Sequence, residues 1–443
     1  MNAIQYILRD GTTLIVIHKP GFHSVSVVAG VAAGSNNETY GDEFGLAHAV
    51  EHMLFRGAYG YTRQQLTSDL VRQGCDTNAF TSYDRTAITG HGPVKMLPEM
   101  LKQFIAMLQT PTFPQEEWEI ERGVVLQEEQ QRKTYLGTVV YNAVDRHIVE
   151  GAMSNYNHPI IGEEQSIQQF TSDMMKQFHS EHYTRCNQVI VVAGPVEPKE
   201  VFDLVDSIKK VSGHWMTDWS CSHSEPAVVI PELPEDASPG SGMILEPYGG
   251  APAQIYTSVL FPEFIQGHPW SSYNRAQAVR KKTMFRVVSD LLDEFGGILW
   301  NRLREERGLV YSFGFVHTKT WKVDCPWYMF IASPENTSEV MKIMQDTIAE
   351  AIENDDIISP KAIEERKVAA KARLEMRQDV VPILAREAFA EYCQNGAITT
   401  EEQERELIEE ISSDNLKEAL MSVAGMNGKE PLTIYTGDVL ELK

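Results

Sequence analysis

The sequence predicts an α+β fold made of two similar halves. The chain has 443 residues, whereas a single hydrophobic core stops growing at about 250–300 residues, so at least two domains are expected. Segments with strand and helix patterns also follow one another in a similar order in both halves. This repeated order is typical of a duplicated α+β unit.

The first half begins with strand-like runs rich in Val and Ile that are separated by Pro20 and Gly21. Helical patterns follow and stop near Gly57 and Gly74, and Pro114 suits the first turn of a long acidic helix. The predicted strands are residues 13–18, 24–32, 77–90 and 187–193, and the predicted helices are 43–56, 62–72, 96–108, 114 to beyond 131, and 198–211.

The second half repeats this order after a segment rich in Pro, Gly and Ser, which is typical of a linker. We therefore predict an N-terminal domain at residues 1–221, a linker at 222–242 and a C-terminal domain at 243–443. The predicted strands are 255–261, 310–316, 327–332 and 432–436, and the predicted helices are 283–295, a short helix after it, 338–353 and 360–377.

The composition excludes some classes of function. The formal net charge is −23, from 39 basic and 62 acidic side chains, and such a surface repels nucleic acid. It can attract basic peptides or serve solubility alone, and both interpretations stay open. No run of about 18 apolar residues is present, so no membrane span is expected.

Five widely spaced cysteines form no C-x-x-C pair. This pattern fits free thiols in a reducing compartment. The N-terminal residues contain no basic segment followed by an apolar one, so no targeting peptide is expected. We therefore predict a cytoplasmic protein.

The clearest chemical signal is the motif H-x-x-E-H at residues 48–52. On a helix, residues four apart point the same way, so His48 and His52 can hold one Zn²⁺ between their imidazoles. Glu51 lies on the same side, where it can act as a general base. The alternative is a chance pattern of two unrelated histidines and a solvated glutamate.

A catalytic zinc ion needs three protein ligands and one open position, so a third ligand is expected elsewhere. The acidic helix supplies Glu121 and Glu128, which are seven residues apart and share a face. One of them can bind the metal while the other supports a ligand histidine.

These residues resemble the pitrilysin family of zinc peptidases, whose motif is the inverse of H-E-x-x-H. The family has a glutamate ligand about 75 residues beyond the second histidine, and Glu128 lies 76 residues beyond His52. The resemblance therefore implies one Zn²⁺ per chain on His48, His52 and Glu128. It also implies a supporting role for Glu121. Glu129 is the rival ligand, but its spacing from Glu121 differs from the family's.

Further segments are similar to family elements. Asn78, Ala79 and Phe80 match an edge strand that pairs with the substrate backbone, and residues 158–162 match a short His-Pro…Gly element. Residues 295–297 and 303–312 match a substrate-binding segment in which Arg304 and Tyr311 bind substrate backbone and stabilise the oxyanion. Tyr311 can alternatively be a buried core aromatic.

The resemblance implies a fold of two tandem α+β domains, each with a mostly antiparallel sheet covered by helices. It also implies an endopeptidase in which a zinc-activated water attacks the peptide and Glu51 acts as base and then acid. Family members of full length contain two such halves, so we expect a homodimer in which Arg304 and Tyr311 act in trans. A heterodimer with a second half-size member is the alternative.

Expected substrates are peptides, leader segments or unfolded chains, with a preference for basic ones. Two other interpretations stay open. One is a catalytically silent partner subunit of a peptidase-like heterodimer, although such subunits typically lose motif residues. The other is an enzyme that uses the same side chains for iron or manganese.

Overall fold

The structure of the chain is a computed structural model that describes residues 3–38, 41–150, 156–211, 228–233, 235–248, 254–293, 297–354, 356–423, 430–437 and 439. The chain divides into two compact units, and neither is a continuous segment. The first unit comprises Met1–Gln130, His158–Pro231 and Met376–Glu401, and the second comprises Gln131–Asn157, Glu232–Glu375 and Glu402–Lys443. The division into an N-terminal domain, a linker at residues 222–242 and a C-terminal domain stays a prediction.

The first unit contains a six-stranded sheet. Its strands are β1 (Ala3–Ile7), β2 (Thr13–His18), β3 (Ser24–Val31), β4 (Asp76–Thr81), β5 (Thr86–Pro93) and β7 (Gln188–Gly194), in the order β1-β2-β7-β3-β5-β4. All neighbours are antiparallel except β2 and β7. The residues of β2, β3 and β7 are almost entirely buried, as in strands covered on both faces.

The second unit repeats this topology. Its sheet contains β9 (Gly242–Pro247), β10 (Ile255–Leu260), β11 (Glu263–Phe264), β12 (Val310–Lys319), β13 (Val323–Ala332) and β14 (Leu432–Gly437). Here β9 is parallel to β14, and the next pairs, β14–β10, β10–β13 and β13–β12, are all antiparallel. The first sheet has the same series, with β2 parallel to β7 and the pairs β7–β3, β3–β5 and β5–β4 antiparallel. The prediction of two similar, mostly antiparallel α+β units is therefore confirmed.

Helices cover both sheets. In the first unit they are α1 (Leu46–Leu54), α2 (Leu70–Arg72), α3 (Leu97–Gln109), α4 (Gln115–Thr134), α6 (Glu164–Gln169), α7 (Ser172–His182), α8 (Pro198–Val211) and α12 (Val381–Asn395). In the second they are α5 (Leu136–His147), α9 (Ser272–Leu292), α10 (Pro334–Glu353), α11 (Pro360–Arg377), α13 (Glu401–Glu409) and α14 (Ser413–Val423). A two-stranded ribbon joins β6 (Val149–Glu150) to β8 (Ser238–Pro239).

Two predicted elements have other bounds in the structure, and several helices were not predicted. Residues 77–90 form the hairpin β4–β5 rather than one strand, because residues 82–85 turn the chain. Helix α9 begins at Ser272, where the Ser271 side chain accepts the amide hydrogen of Asn274, and not at residue 283. The unpredicted helices are α5, α6, α7, α12, α13 and α14. Of these, α12 packs against β3 and β7 of the first sheet.

The cysteines are not all free thiols. Cys75, Cys325 and Cys393 are free and buried, whereas Cys186 is disulfide-bonded. The expectation of free thiols is therefore wrong for Cys186, and Cys221 lies outside the described residues. Among the described helices, none combines the length and apolarity needed to cross a membrane.

Candidate metal centre and active site

Helix α1 carries the H-x-x-E-H motif in the interior of the first unit. Leu46, Val50, Met53 and Leu54 are fully packed into its hydrophobic core, so the helix is fixed from that side. The motif side chains project from the remaining face. There, His48 is 6% exposed and Glu51 is 9% exposed.

Helix α4 brings a carboxylate to both histidines. The Oε2 atom of Glu128 lies 3.7 Å from His48 Nε2 and 3.5 Å from His52 Nε2. Ligand atoms of these three residues all lie within 4.8 Å of one another, and among the described side chains this is the group of three that can hold a metal ion. Glu129, the rival ligand, is not part of it and is buried.

The separations fit a zinc ion. A tetrahedral ion bonded at about 2.0–2.1 Å holds its ligand atoms roughly 3.4 Å apart. The carboxylate-to-imidazole distances of 3.5 and 3.7 Å are close to this value before any adjustment. Two imidazoles and one carboxylate are also a typical ligand set for catalytic zinc.

Glu121 orients one of the two histidines. Its Oε1 atom lies 2.8 Å from His52 Nδ1, so the imidazole donates its Nδ1 hydrogen and keeps the Nε2 lone pair for a metal. The other oxygen of Glu121 pairs with Arg56, whose guanidinium also lies 4.0 Å from Glu117. Since Glu121 is 3% exposed, this cation balances a buried carboxylate.

Glu51 is held by a residue of the neighbouring strand. The Thr81 hydroxyl donates a hydrogen bond of 2.8 Å to Glu51 Oε2. Burial raises the pKa of Tyr183, and the nearby Glu51 carboxylate raises it further, so Tyr183 stays neutral. The phenol near Glu51 is therefore uncharged.

Strand β4 forms the edge of the first sheet. Among the described strands it pairs with β5 alone, so its outer backbone groups can bind an extended peptide. Asn78 and Ala79 lie at the centre of the strand. The Phe80 ring packs edge-to-face against Phe389, with ring centroids 6.5 Å apart. Thr81, at the end of the strand, contacts Glu51. The strand thus leads directly to the candidate base.

Arg304 and Tyr311 lie in the second unit and contact each other. Tyr311 occupies a bulge of β12, where the pairing with β13 shifts between Val310 and Ser312, and its side chain is 73% exposed. It is therefore not a buried core aromatic. Arg304 Nη1 donates to the Tyr311 carbonyl at 3.0 Å and stacks over the Trp300 ring at 4.6 Å.

The structure brings His48, His52, Glu121 and Glu128 together, and Glu51 lies on the same helix as the two histidines, one residue before His52. Phe295 and Gly296, part of the predicted substrate-binding segment, lie outside the described residues. Two contacts were missed from the sequence, those of Thr81 with Glu51 and of Arg56 with Glu121. Arg56 follows His52 by four residues and so shares its face, and this spacing was a usable signal in the sequence. For Thr81 the sequence contains no signal other than its place in the edge-strand segment.

Two family models match the chain. Residues 13–160 match the model described as Insulinase (Peptidase family M16), and residues 169–369 match the Peptidase M16 inactive domain. The first match contains every residue of the metal cluster, and the second contains none of them. The metal cluster therefore lies entirely within the part of the chain that matches the Insulinase model.

Similar proteins agree with these matches. An uncharacterized zinc protease of Rickettsia bellii is 22% identical over 417 residues, covering 92% of each chain. The human mitochondrial-processing peptidase subunit beta is 28% identical over 211 residues, covering 46% of this chain and 42% of that subunit. The crystal structure of a Helicobacter pylori protease has a TM-score of 0.81 at 17% identity, covering 98% of this chain and 99% of that one.

A cluster of two histidines and one carboxylate from an H-x-x-E-H helix is typical of a class of zinc metallopeptidases. Within that class, the chain belongs to the insulinase family, peptidase family M16. The family predicted from the H-x-x-E-H motif and its spacing is thereby confirmed.

Proposed function

We propose that the chain is a zinc-dependent endopeptidase that hydrolyses peptides or unfolded segments. One observation carries this proposal: Glu128 from α4 meets His48 and His52 from α1, and Glu51 lies on the same helix, one residue before His52. A silent partner subunit has no need for a complete ligand set beside an unused base.

The roles of the side chains follow from their positions. His48, His52 and Glu128 would hold one zinc ion, which when bound would lower the pKa of a water molecule and polarise the scissile carbonyl. Glu51 takes the proton of the attacking water and delivers it to the leaving amine. Glu121 holds the His52 ring in the orientation that the site needs.

The substrate class follows from the edge strand. A peptide that adds to β4 along Asn78, Ala79 and Phe80 is recognised mainly through its backbone, so many sequences are accepted. Only an extended chain can pair in this way, which favours leader peptides and unfolded segments over folded proteins. The net charge of −23 favours basic peptides through long-range attraction.

The test of this function combines metal analysis with a cleavage assay. Purified protein should contain about one zinc per chain and should cut members of a quenched-fluorescence peptide library. Cleavage should stop on chelation and return when zinc is added. Stable zinc-loaded protein that cuts no peptide in the library would favour the silent partner subunit instead.

Replacing Thr81 with valine should lower kcat about tenfold, because the buried Glu51 carboxylate loses a hydrogen bond that orients it. Valine keeps the shape of threonine, so zinc content and the melting temperature should change little. Serine at the same position keeps the hydroxyl and should restore most of the rate. Equal rates for the valine and serine variants would contradict this role of Thr81.

We also propose a homodimer in which Arg304 and Tyr311 of one chain act on the zinc site of the other, with a heterodimer as the alternative. The exposed, bulged position of Tyr311 suits a side chain that reaches outward, since bulges often re-aim side chains beside active sites. Tyr311 would then stabilise the oxyanion.

Mixing two inactive variants, His48→Ala and Tyr311→Phe, should restore activity. After subunit exchange of an equal mixture, half of the dimers are mixed and each has one complete site, so about a quarter of the wild-type activity should return. Each variant alone and a mixture of His48→Ala with His52→Ala serve as controls. Activity that co-elutes with a monomer in gel filtration would rule out the trans arrangement.

The cytoplasmic location stays a prediction. The disulfide bond of Cys186 favours an oxidising compartment, because disulfides rarely persist in the cytoplasm. Mass spectrometry of protein alkylated in intact cells can decide between them. An alkylated Cys186 would support the cytoplasm, and a protected one would support an oxidising compartment.

A further inference from the structure

We infer that a buried clamp, formed by Glu38 and the segment His158 to Ser166, sets the position of the start of α1 and thereby of His48. The inference rests on the metal site proposed above. It also assigns a role to the His-Pro…Gly element at residues 158–162, which neither the metal site nor the substrate strand uses.

Glu38 caps α1 from outside the helix. The first amides of a helix have no partner within it, and the residue before α1 is Gly45, which has no side chain to cap them. The carboxylate of Glu38 accepts the amide hydrogens of Gly45 at 2.9 Å and Ala47 at 2.7 Å. Since Glu38 is 0% exposed, no water competes for these hydrogen bonds.

His158 packs behind this cap. Its ring stacks on Phe44 with a centroid distance of 3.8 Å and an interplanar angle of 8°, and its Nε2 atom lies 3.5 Å from Glu38 Oε2. Burial lowers the pKa of His158 to about 4, so the ring is neutral at pH 7. It therefore places a flat, uncharged surface against the residues that enter α1.

Gly162 completes the clamp through close backbone packing. A Cβ atom on Gly162 would lie 2.1 Å from the Phe44 carbonyl oxygen, and one on Gly45 would lie 2.3 Å from the Ile161 carbonyl oxygen. The Ser166 hydroxyl also donates to the Phe44 carbonyl at 2.7 Å. Both backbones can approach this closely only because glycine occupies the two positions.

The clamp acts on the ligand nearest to it. His48 is three residues beyond Gly45, less than one helical turn. A displacement of the start of the helix therefore displaces His48 by nearly the same distance. The other end of the motif is held separately, since Glu121 contacts His52 and Thr81 contacts Glu51. The clamp residues are thus positioning residues for one ligand.

Two pairs of variants test this role. Glu38→Ala removes the cap, and Glu391→Ala is its control. Glu391 lies on α12, is also buried, and accepts the backbone amide hydrogen of Thr399. Gly162→Ala adds a Cβ that clashes with the Phe44 backbone, and Gly60→Ala is its control. Both glycines have a positive φ (78° for Gly162 and 82° for Gly60), but a Cβ on Gly60 meets nothing within 4 Å.

The readouts are zinc affinity, measured by competition with a chelating dye, and amide exchange at residues 45–47 in the zinc-free protein. Both clamp variants should bind zinc about tenfold more weakly, the lower end of the effect of groups that orient ligands, and their amides at 45–47 should exchange faster. Both control variants should match the wild type in these two readouts, even where their melting temperatures fall.

Clamp variants that fold and bind zinc within threefold of the wild type would overturn the inference while leaving the proposed function intact. If Glu38→Ala does not fold, Gly162→Ala decides, because it keeps every polar group of the clamp. A wild-type protein that takes up no zinc would instead overturn the proposed function, and the inference with it.

Discussion

Replacing Glu51 with glutamine is expected to lower kcat by about 10²–10⁴-fold while the protein keeps its zinc, because this is the usual contribution of a general acid–base group. Glutamine has nearly the same shape and can still accept the hydrogen bond from Thr81. It cannot take a proton from water at neutral pH. The change therefore removes one chemical function and leaves the site's packing in place.

The measurement is cleavage of a quenched peptide by wild type and variant at equal zinc content. A glutamine at Glu116, an exposed residue in the first turn of α4, is the control for the loss of one negative charge. A variant at Glu51 that cuts as fast as the wild type would remove Glu51 as the base. Loss of zinc from the variant would leave the rate uninformative about proton transfer, so metal content is measured first.

Replacing Glu128 with glutamine should weaken zinc binding by about 10²–10³-fold. The change removes the negatively charged ligand, one of three, from a site whose total zinc-binding free energy is of order 10 kcal/mol. Glutamine at Glu129 should leave zinc affinity within a few-fold of the wild type. Both residues lie on α4, and Glu129 is the more buried of the two. The pair therefore separates metal ligation from any general effect of altering this helix.

Zinc affinity is measured by competition with a chelator, and folding is followed by circular dichroism. The opposite result, with Glu129→Gln losing zinc and Glu128→Gln keeping it, would show that the helix turns differently in the zinc-bound protein. Weak binding by both variants at unchanged helicity would instead point to a site that needs the whole acidic face of α4.

The parts of the fold that depend on local pattern could be predicted from the sequence. Strands β2 and β7 are short apolar runs rich in Val and Ile, and α1 places apolar side chains on one face. Helix α9 begins earlier than predicted because its first three turns are rich in polar and charged residues, which give no apolar stripe. Its start depends on the Ser271 cap instead.

Elements that depend on distant packing were not predictable. Helix α12 fits β3 and β7, which lie far earlier in the chain, and no local signal identifies that partner. The turn between β4 and β5 was predictable in part, because residues 82–85 include Ser82 and Asp84, which are common in turns. The turn contains no Gly or Pro, and the two strands were therefore predicted as one.

The candidate site divides in the same way. His48, Glu51 and His52 follow from helical spacing alone, and Glu121 and Glu128 share a face for the same reason. The contact between Thr81 and Glu51 spans 30 residues and depends on the register of β4 beside α1, which spacing along the chain does not encode. The resemblance to a family supplied the choice of Glu128 over Glu129.

The interleaved units affect when the first unit can complete its fold during synthesis of the chain. One helix of the unit that carries the metal cluster, α12, comprises Val381–Asn395, so the ribosome must translate as far as residue 395 before this helix can cover β3 and β7. A nascent chain released before that point has both histidines and Glu128, yet part of its central sheet is bare. The unit that carries the metal cluster can therefore complete its fold only after α12 has been synthesised.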